Sequence, residues 1–268
     1  IGGTVAAGPL FAATRGAPWL AGVPLVGLAA LGLIASMRIP SRGPARSEGG
    51  LRTTVELAWD AIRSDRVLRL AVIGQVIVWS IACLIPPPML SYGKVVLGLK
   101  PAWANLPLGA MGLGIGLGCY LAGRLSRSNV EYGLIPLGAL GMAVSSLVFA
   151  AWGPELAGMI VLLGLLGVSS GLLLVPLSAL IQWRAPSDRR GAVIATTNAL
   201  AFGGMLLGSI LALVLAQGGV SSRLVFLLMG LGLTIGFCWA TTLVPEAFLR
   251  LYRLERACQI QLDAAAAG

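Results

Sequence analysis

The chain has 268 residues, of which 57% are hydrophobic and only 11% charged, and its mean hydropathy is +0.90. Soluble domains carry about 25% charged residues, so this composition excludes an ordinary soluble domain and points to an integral membrane protein. A net charge of +9 would suggest nucleic acid in a soluble chain. Here the charge lies in loops between apolar runs, so membrane topology explains it and no nucleic-acid partner is expected.

The chain contains no histidine, which excludes histidine-based catalysis and histidine metal ligation. Its four cysteines, Cys83, Cys119, Cys238 and Cys258, form no CxxC pair, so they support neither a zinc site nor a disulfide framework. No cofactor and no metal are expected. The chain opens on Ile1, already inside an apolar run and without a signal peptide, and a missing N-terminal portion is the simplest expectation.

Charge-free runs predict the spans in chain order. Residues 1–14 read as the end of a helix, and 16–37 as the first complete span. Spans then follow at 70–93, 101–123, 132–154, 156–183, 191–222 and 224–245. About 20 apolar residues suffice to cross the hydrocarbon core as a helix. The expected fold is therefore all-α: a polytopic bundle of about seven full transmembrane helices plus a fragment.

The turn carrying Arg184, Asp188, Arg189 and Arg190 joins the two longest runs and sets the phase. With that turn cytoplasmic, fifteen Lys and Arg fall on its side and four on the other. That asymmetry predicts cytoplasmic placement for residues 38–69, 124–131, 184–190 and the tail 246–268. Within the long loop, PSRGPARSEGG, residues 40–50, reads as a flexible linker. Leu51, Val55, Ala58 and Ile62 then share one helical stripe and Arg52, Glu56, Asp60 and Arg63 another. This predicts an amphipathic helix on the membrane surface or against the ends of the spans. The tail reads the same way, with Leu251 and Leu254 opposed by Arg250, Arg253 and Arg256.

Prolines punctuate the spans. Pro86-Pro87-Pro88 is expected to end or break its helix, and Pro107, Pro136 and Pro176 to bend theirs. Gly112, Gly114, Gly116 and Gly118 form overlapping GxxxG pairs, and Gly167/Gly171 and Gly204/Gly208 form others. Glycines four apart let helices approach closely.

All ten acids map to loops or span ends, so no carboxylate is available for a proton relay inside the membrane. The polar residues within spans are neutral: Gln75 and Ser80; Ser169, Ser170, Ser178 and Gln182; Thr196, Thr197 and Asn198. A Ser or Thr can bond back to its own helix. A whole amide cannot be satisfied that way, so Gln75 and Asn198 are expected to face another helix or a cavity. With Ser178 they are the candidate substrate-binding residues.

The segment GCYLAGRLSRSNVE, 118–131, resembles the second copy of the major facilitator superfamily loop motif, Gly-x4-Gly-Arg with further basic residues. Six spans after a long basic loop resemble the C-terminal half of that superfamily. Gly8-Pro9 resembles its helix-5 antiporter motif, with Thr4 and Ala12-Ala13 standing where that motif has glycines. Within the superfamily, AGRLSRSNVEYGLIPLGALGM (122–142) and VPLSALIQWRAPSDRRGAVIATTN (175–198) are similar to bacterial lysophospholipid transporters. So is LVPEAFLRLYR (243–253), which resembles the junction before the acyltransferase in fused relatives.

The resemblance implies a truncated major facilitator fold divided in four. Residues 1–37 would close the N-terminal bundle, 38–69 form a cytoplasmic linker, 70–245 the six-helix C-terminal bundle, and 246–268 a cytoplasmic tail. It implies a carrier in the bacterial inner membrane that moves lysophospholipid to the cytoplasmic leaflet. There a fused or separate acyltransferase would act on it. It also makes Gly123, Arg124, Arg127 and Glu131 a gating loop. The competing readings are a general drug or metabolite efflux carrier and the membrane part of a bifunctional acyltransferase. This chain cannot itself be the acyltransferase, which needs a His-x4-Asp pair.

Overall fold

The computed structural model describes residues 22–38, 50–99, 101–126 and 133–243. The expected helix end at 1–14, residues 40–49 of the linker, the loop residues Arg127 and Glu131, and the tail 246–268 lie outside the described residues. Every regular element among the described residues is helical.

The helices are α1 (Val23–Met37), α2 (Leu51–Ser64), α3 (Arg66–Leu84), α4 (Pro86–Ser91) and α5 (Pro101–Ala104). Then come α6 (Leu106–Ser126), α7 (Leu134–Trp152), α8 (Leu156–Arg184), α9 (Arg190–Gln217) and α10 (Ser222–Leu243). Five stretches are long and apolar enough to cross a membrane: Arg66–Val96, Leu106–Ser126, Leu134–Trp152, Leu156–Arg184 and Arg190–Gln217. Two shorter apolar stretches, Val26–Met37 and Ser222–Cys238, fall in the other two expected spans. In lipid a helix satisfies its own backbone, which is why runs that are apolar all round adopt this form.

The long helix α8 is the hub. It packs on α6, α7 and α3, while α9 packs on α3 and α10 on α7. Glycines set the closest approach. A Cβ at Gly114 would strike the Gly164 carbonyl, and one at Gly118 the Val168 carbonyl. From the other side, a Cβ at Gly167 would strike the Met111 carbonyl and one at Gly171 the Ile115 carbonyl. Helices α6 and α8 therefore touch backbone to backbone through glycines on both. On α9, a Cβ at Gly208 would strike the Ser80 carbonyl of α3, and one at Gly204 the side chains of Ser80 and Val76. Gly116, between the two contact glycines of α6, is exposed.

Not every proline bends a helix. Pro107 and Pro136 sit in the first turns of α6 and α7, where the missing N–H has no intrahelical partner to lose, so only Pro176 interrupts a helix interior. The Pro86-Pro87-Pro88 run breaks α3 at Ile85. The chain then continues as α4 and one π-helical turn, Tyr92–Val96. At that end Tyr92 donates to the Pro154 carbonyl at 3.0 Å and meets Phe149 edge-on, while Phe149 stacks on Phe226 at 4.0 Å. Gly153 ends α7 at φ +61°, a left-handed conformation that favours glycine. Arg223 donates to the last carbonyls of α7, at Ala150 (3.0 Å) and Ala151 (2.8 Å).

Helix α2 is amphipathic as expected. Ala58, Ala61 and Ile62 are buried against α9 and α3, so it packs on the ends of the spans. Its outer side carries an Arg52–Glu56 pair at 2.9 Å and Arg63 over the Trp59 ring.

Candidate functional site

Gln75 lies in the middle of α3 and is only 9% exposed. Its Oε1 is buried and accepts no hydrogen bond among the described residues. Buried polar atoms without a partner are uncommon enough that each calls for an explanation. Ser178, on α8, is half-buried, and Asn198, on α9, is exposed. Gly74 packs on Leu177, so Gln75 and Ser178 follow the contact residues of two touching helices. Asn198 shares a stripe with Phe202, Met205 and Ser209. Among the described residues no hydrogen bond joins the three.

Several hydroxyls elsewhere in the spans bond back to their own helices. Ser80 donates to the Val76 carbonyl, Ser169 to Leu165 and Thr197 to Val193, each at 2.8 Å. Those side chains are satisfied locally and offer little to a substrate. Gln75 is different, because its buried oxygen has no partner among the described residues.

An apolar cleft of about 550 Å³ runs between α3, α7, α8, α9 and α10. On α3 it is lined by Leu70, Ile73, Gly74, Ile77 and Ile81, among others, and no ionisable side chain lines it. Gln75, Ser178 and Asn198 do not line it. The three candidate residues therefore stand apart from the apolar cleft, one buried, one half-buried and one exposed.

The basic end carries a contact that sequence reading misses. Asp65 caps α3, accepting from the Val67 and Leu68 N–H groups at 2.9 and 3.3 Å. Its other oxygen accepts from Arg184 Nε at 2.8 Å, tying the last turn of α8 to the first of α3. The Ser64-Asp65 pair just before an apolar run is a recognisable cap signal. The ion pair spans 119 residues and has no local signature.

Burial alone would raise the Asp65 pKa. The Arg184 hydrogen bond, the two backbone N–H groups and the Arg184 charge outweigh it and hold the carboxyl below its ordinary 3.8. A depressed carboxylate pKa contributes stability that is full above the unfolded value and lost as pH falls through the folded one. Asp65→Ala is expected to cost about 0.5–2 kcal/mol for the cap, and up to about 1 kcal/mol more for the partly exposed pair. Asp65→Asn keeps the cap and loses only the second contribution. Thermal unfolding should show this gap at neutral pH and see it close below the folded pKa; a gap that widens in acid would contradict the assignment.

The remaining predicted residues sit at the same end. Gly123 and Arg124 are exposed in the last turns of α6, with the Arg124 guanidinium 5.8 Å from the Tyr120 ring centroid. Asp188 and Arg189 pair at 3.1 Å in the exposed turn, and Arg190 opens α9. Exposed neighbours of this kind contribute little to stability. Among the described residues no cluster of three His, Cys, Asp or Glu could hold a metal.

Long apolar helices locked by glycine contacts, with neutral polar groups and no charge at mid-depth, define an integral membrane helical bundle. The model of the Major Facilitator Superfamily matches residues 1–209, and the chain belongs to that superfamily. It is a membrane transporter and not an enzyme. No curated protein and no solved structure matches the chain.

Proposed function

We propose that the chain forms the second half of a lysophospholipid carrier. Residues 70–245 act as its C-terminal bundle, and residues 1–37 close the N-terminal one. Substrate binds near mid-membrane between the halves, where transporters built from repeats place their sites, and alternating access delivers it to the cytoplasmic leaflet. The observation that carries the reading is that the polar groups within the spans are neutral amides and hydroxyls with no carboxylate among them, the Oε1 of Gln75 being left without a partner among the described residues. A lysophospholipid brings a polar head with N–H or O–H donors and one acyl chain. A net-neutral zwitterionic head needs no counter-charge from the protein, whereas a net-cationic drug is best met by an intramembrane carboxylate, and the spans hold none. The resemblance of residues 122–142 and 175–198 to lysophospholipid transporters supports the same substrate. The delivered lipid is the substrate an acyltransferase consumes.

The test is uptake of labelled lysophosphatidylethanolamine by proteoliposomes holding the protein expressed from its complete reading frame. Saturable uptake is expected. Export of small cationic drugs with no lysolipid uptake would replace this reading with the efflux one.

The orientation is bacterial inner membrane with the Arg184 turn and the tail cytoplasmic. In a background lacking the native cysteines, a cysteine placed at the exposed Ser187 should resist impermeant reagents in intact cells and react after permeabilisation. Efficient labelling from outside would invert the topology.

A further inference from the structure

Helix α10 packs on α7 and touches α4, but has no substantial packing with α3 or α9. The apolar cleft lies in the gap this leaves. Its lining follows α3 from Val67 to Leu84, which is about 26 Å at helical rise. A volume of about 550 Å³ drawn out over that length is long and narrow. Two glycines of α10, Gly232 and Gly236, line it, and a Cβ at either would meet no atom within 4 Å. So α10 is not held off α3 by bulk at these positions. The space is open.

Such a gap does not stay empty or wet. An apolar cavity excludes water, and unfilled walls lose their dispersion contacts. Within the membrane-spanning depth the fluid at hand is hydrocarbon. At the basic end, Arg66 stands one turn before Leu70, on the stripe that continues through Ile73 and Ile77 into the cleft. It is exposed and makes no ion pair or hydrogen bond among the described residues. A cation at the mouth of an apolar groove complements a phosphate joined to an acyl chain.

We propose that this cleft is a resident-lipid site. One acyl chain of a bilayer glycerophospholipid enters between α9 and α10 and lies along α3, with its phosphate at Arg66. The second chain stays in the bilayer. The site is separate from the Gln75 face and stands whatever the transported substrate is.

The test uses the purified protein, expressed from its complete reading frame, in phosphatidylcholine nanodiscs. These contain phosphatidylglycerol bearing a mid-chain diazirine, and adducts are mapped by mass spectrometry. Adducts are expected on cleft residues such as Ile77 and Met229. Gly232→Leu with Gly236→Leu fills the groove without a Cβ clash and should cut that labelling at least tenfold. Gly203→Leu, at a glycine of α9 with equally open space, should label as the wild type does. Arg66→Gln should lower retained phosphatidylglycerol several-fold. Adducts on the outer faces of α9 and α10 with none in the cleft would overturn the site, and so would unchanged labelling of the filled variant. Should the double variant not fold, the wild-type map and Arg66→Gln decide alone: a cleft free of adducts, or undiminished lipid retention, overturns the proposal.

Discussion

Gly118→Leu is expected to abolish folding of the bundle. Helices α6 and α8 meet through glycines on both partners, and a Cβ at Gly118 would occupy the position of the Val168 carbonyl. The obstacle is backbone, so no rotamer change relieves it. Overpacking a well-packed core costs about 1–3 kcal/mol when side chains can give way. Here the helices themselves must separate, and Gly118→Ala alone is expected to exceed that range. Gly114→Ala with Gly118→Ala then approaches the whole stability of a domain, about 5–15 kcal/mol. Gly116→Ala is the control, because its position is exposed and alanine favours the helix by up to about 1 kcal/mol. Monodisperse yield and thermal unfolding measure the contrast. A Gly118→Leu protein that is folded and as stable as the wild type would disprove the close approach.

Gln75→Leu is expected to move stability and transport in opposite directions. An amide oxygen buried without a partner costs about 1–3 kcal/mol, and leucine of similar size removes that penalty. The melting temperature should therefore rise. Transport should fall, because the same oxygen is the acceptor proposed for the head group. Its loss weakens recognition by about 1–3 kcal/mol, or roughly 5- to 150-fold. Asn198→Ala separates the two effects. It sits on an exposed stripe, so stability should stay within about 0.5 kcal/mol of wild type, while transport falls. Unchanged transport by both variants at equal folded levels would remove these residues from the site. A lower melting temperature for Gln75→Leu would mean that the amide has a partner in the fold.

Much of the architecture is legible in the residues because charge is so scarce. Arg66, Arg184 and Arg190 stand at helix ends, and the apolar runs between charges become α6, α7, α8 and α9 to within about five residues, while the run 70–93 is divided among α3, α4 and the π-helical turn. The amphipathic strap α2 is legible for the same reason: it is the described helix whose polar and apolar residues separate into clear stripes.

The helix-to-helix detail is not legible. In a membrane both the lipid face and the core face are apolar, so the periodicity that reveals a buried face in water is lost. The sequence names four glycines in residues 112–118, and only packing distinguishes Gly114 and Gly118 from the exposed Gly116. The prolines mislead for a related reason. Pro107 and Pro136 fall inside charge-free runs, yet their helices start just before them. Asp65–Arg184 and the cleft beside α10 depend on long-range placement that no local pattern encodes. Gln75 and Asn198 were readable as unusual because an amide cannot satisfy itself on a helix. That one is buried and the other exposed was not.

The proposed cargo of this transporter is a single-chain phospholipid. Leaflet-resolved uptake of labelled lysophosphatidylethanolamine tests it most directly. Proteoliposomes hold the protein from its complete reading frame in one orientation, and label in the outer leaflet is extracted with albumin at set times. The account predicts saturable, protein-dependent loss of extractable label toward the leaflet facing the Arg184 turn, slowed by Gln75→Leu. Label that stays fully extractable, at the rate of protein-free vesicles, would contradict it.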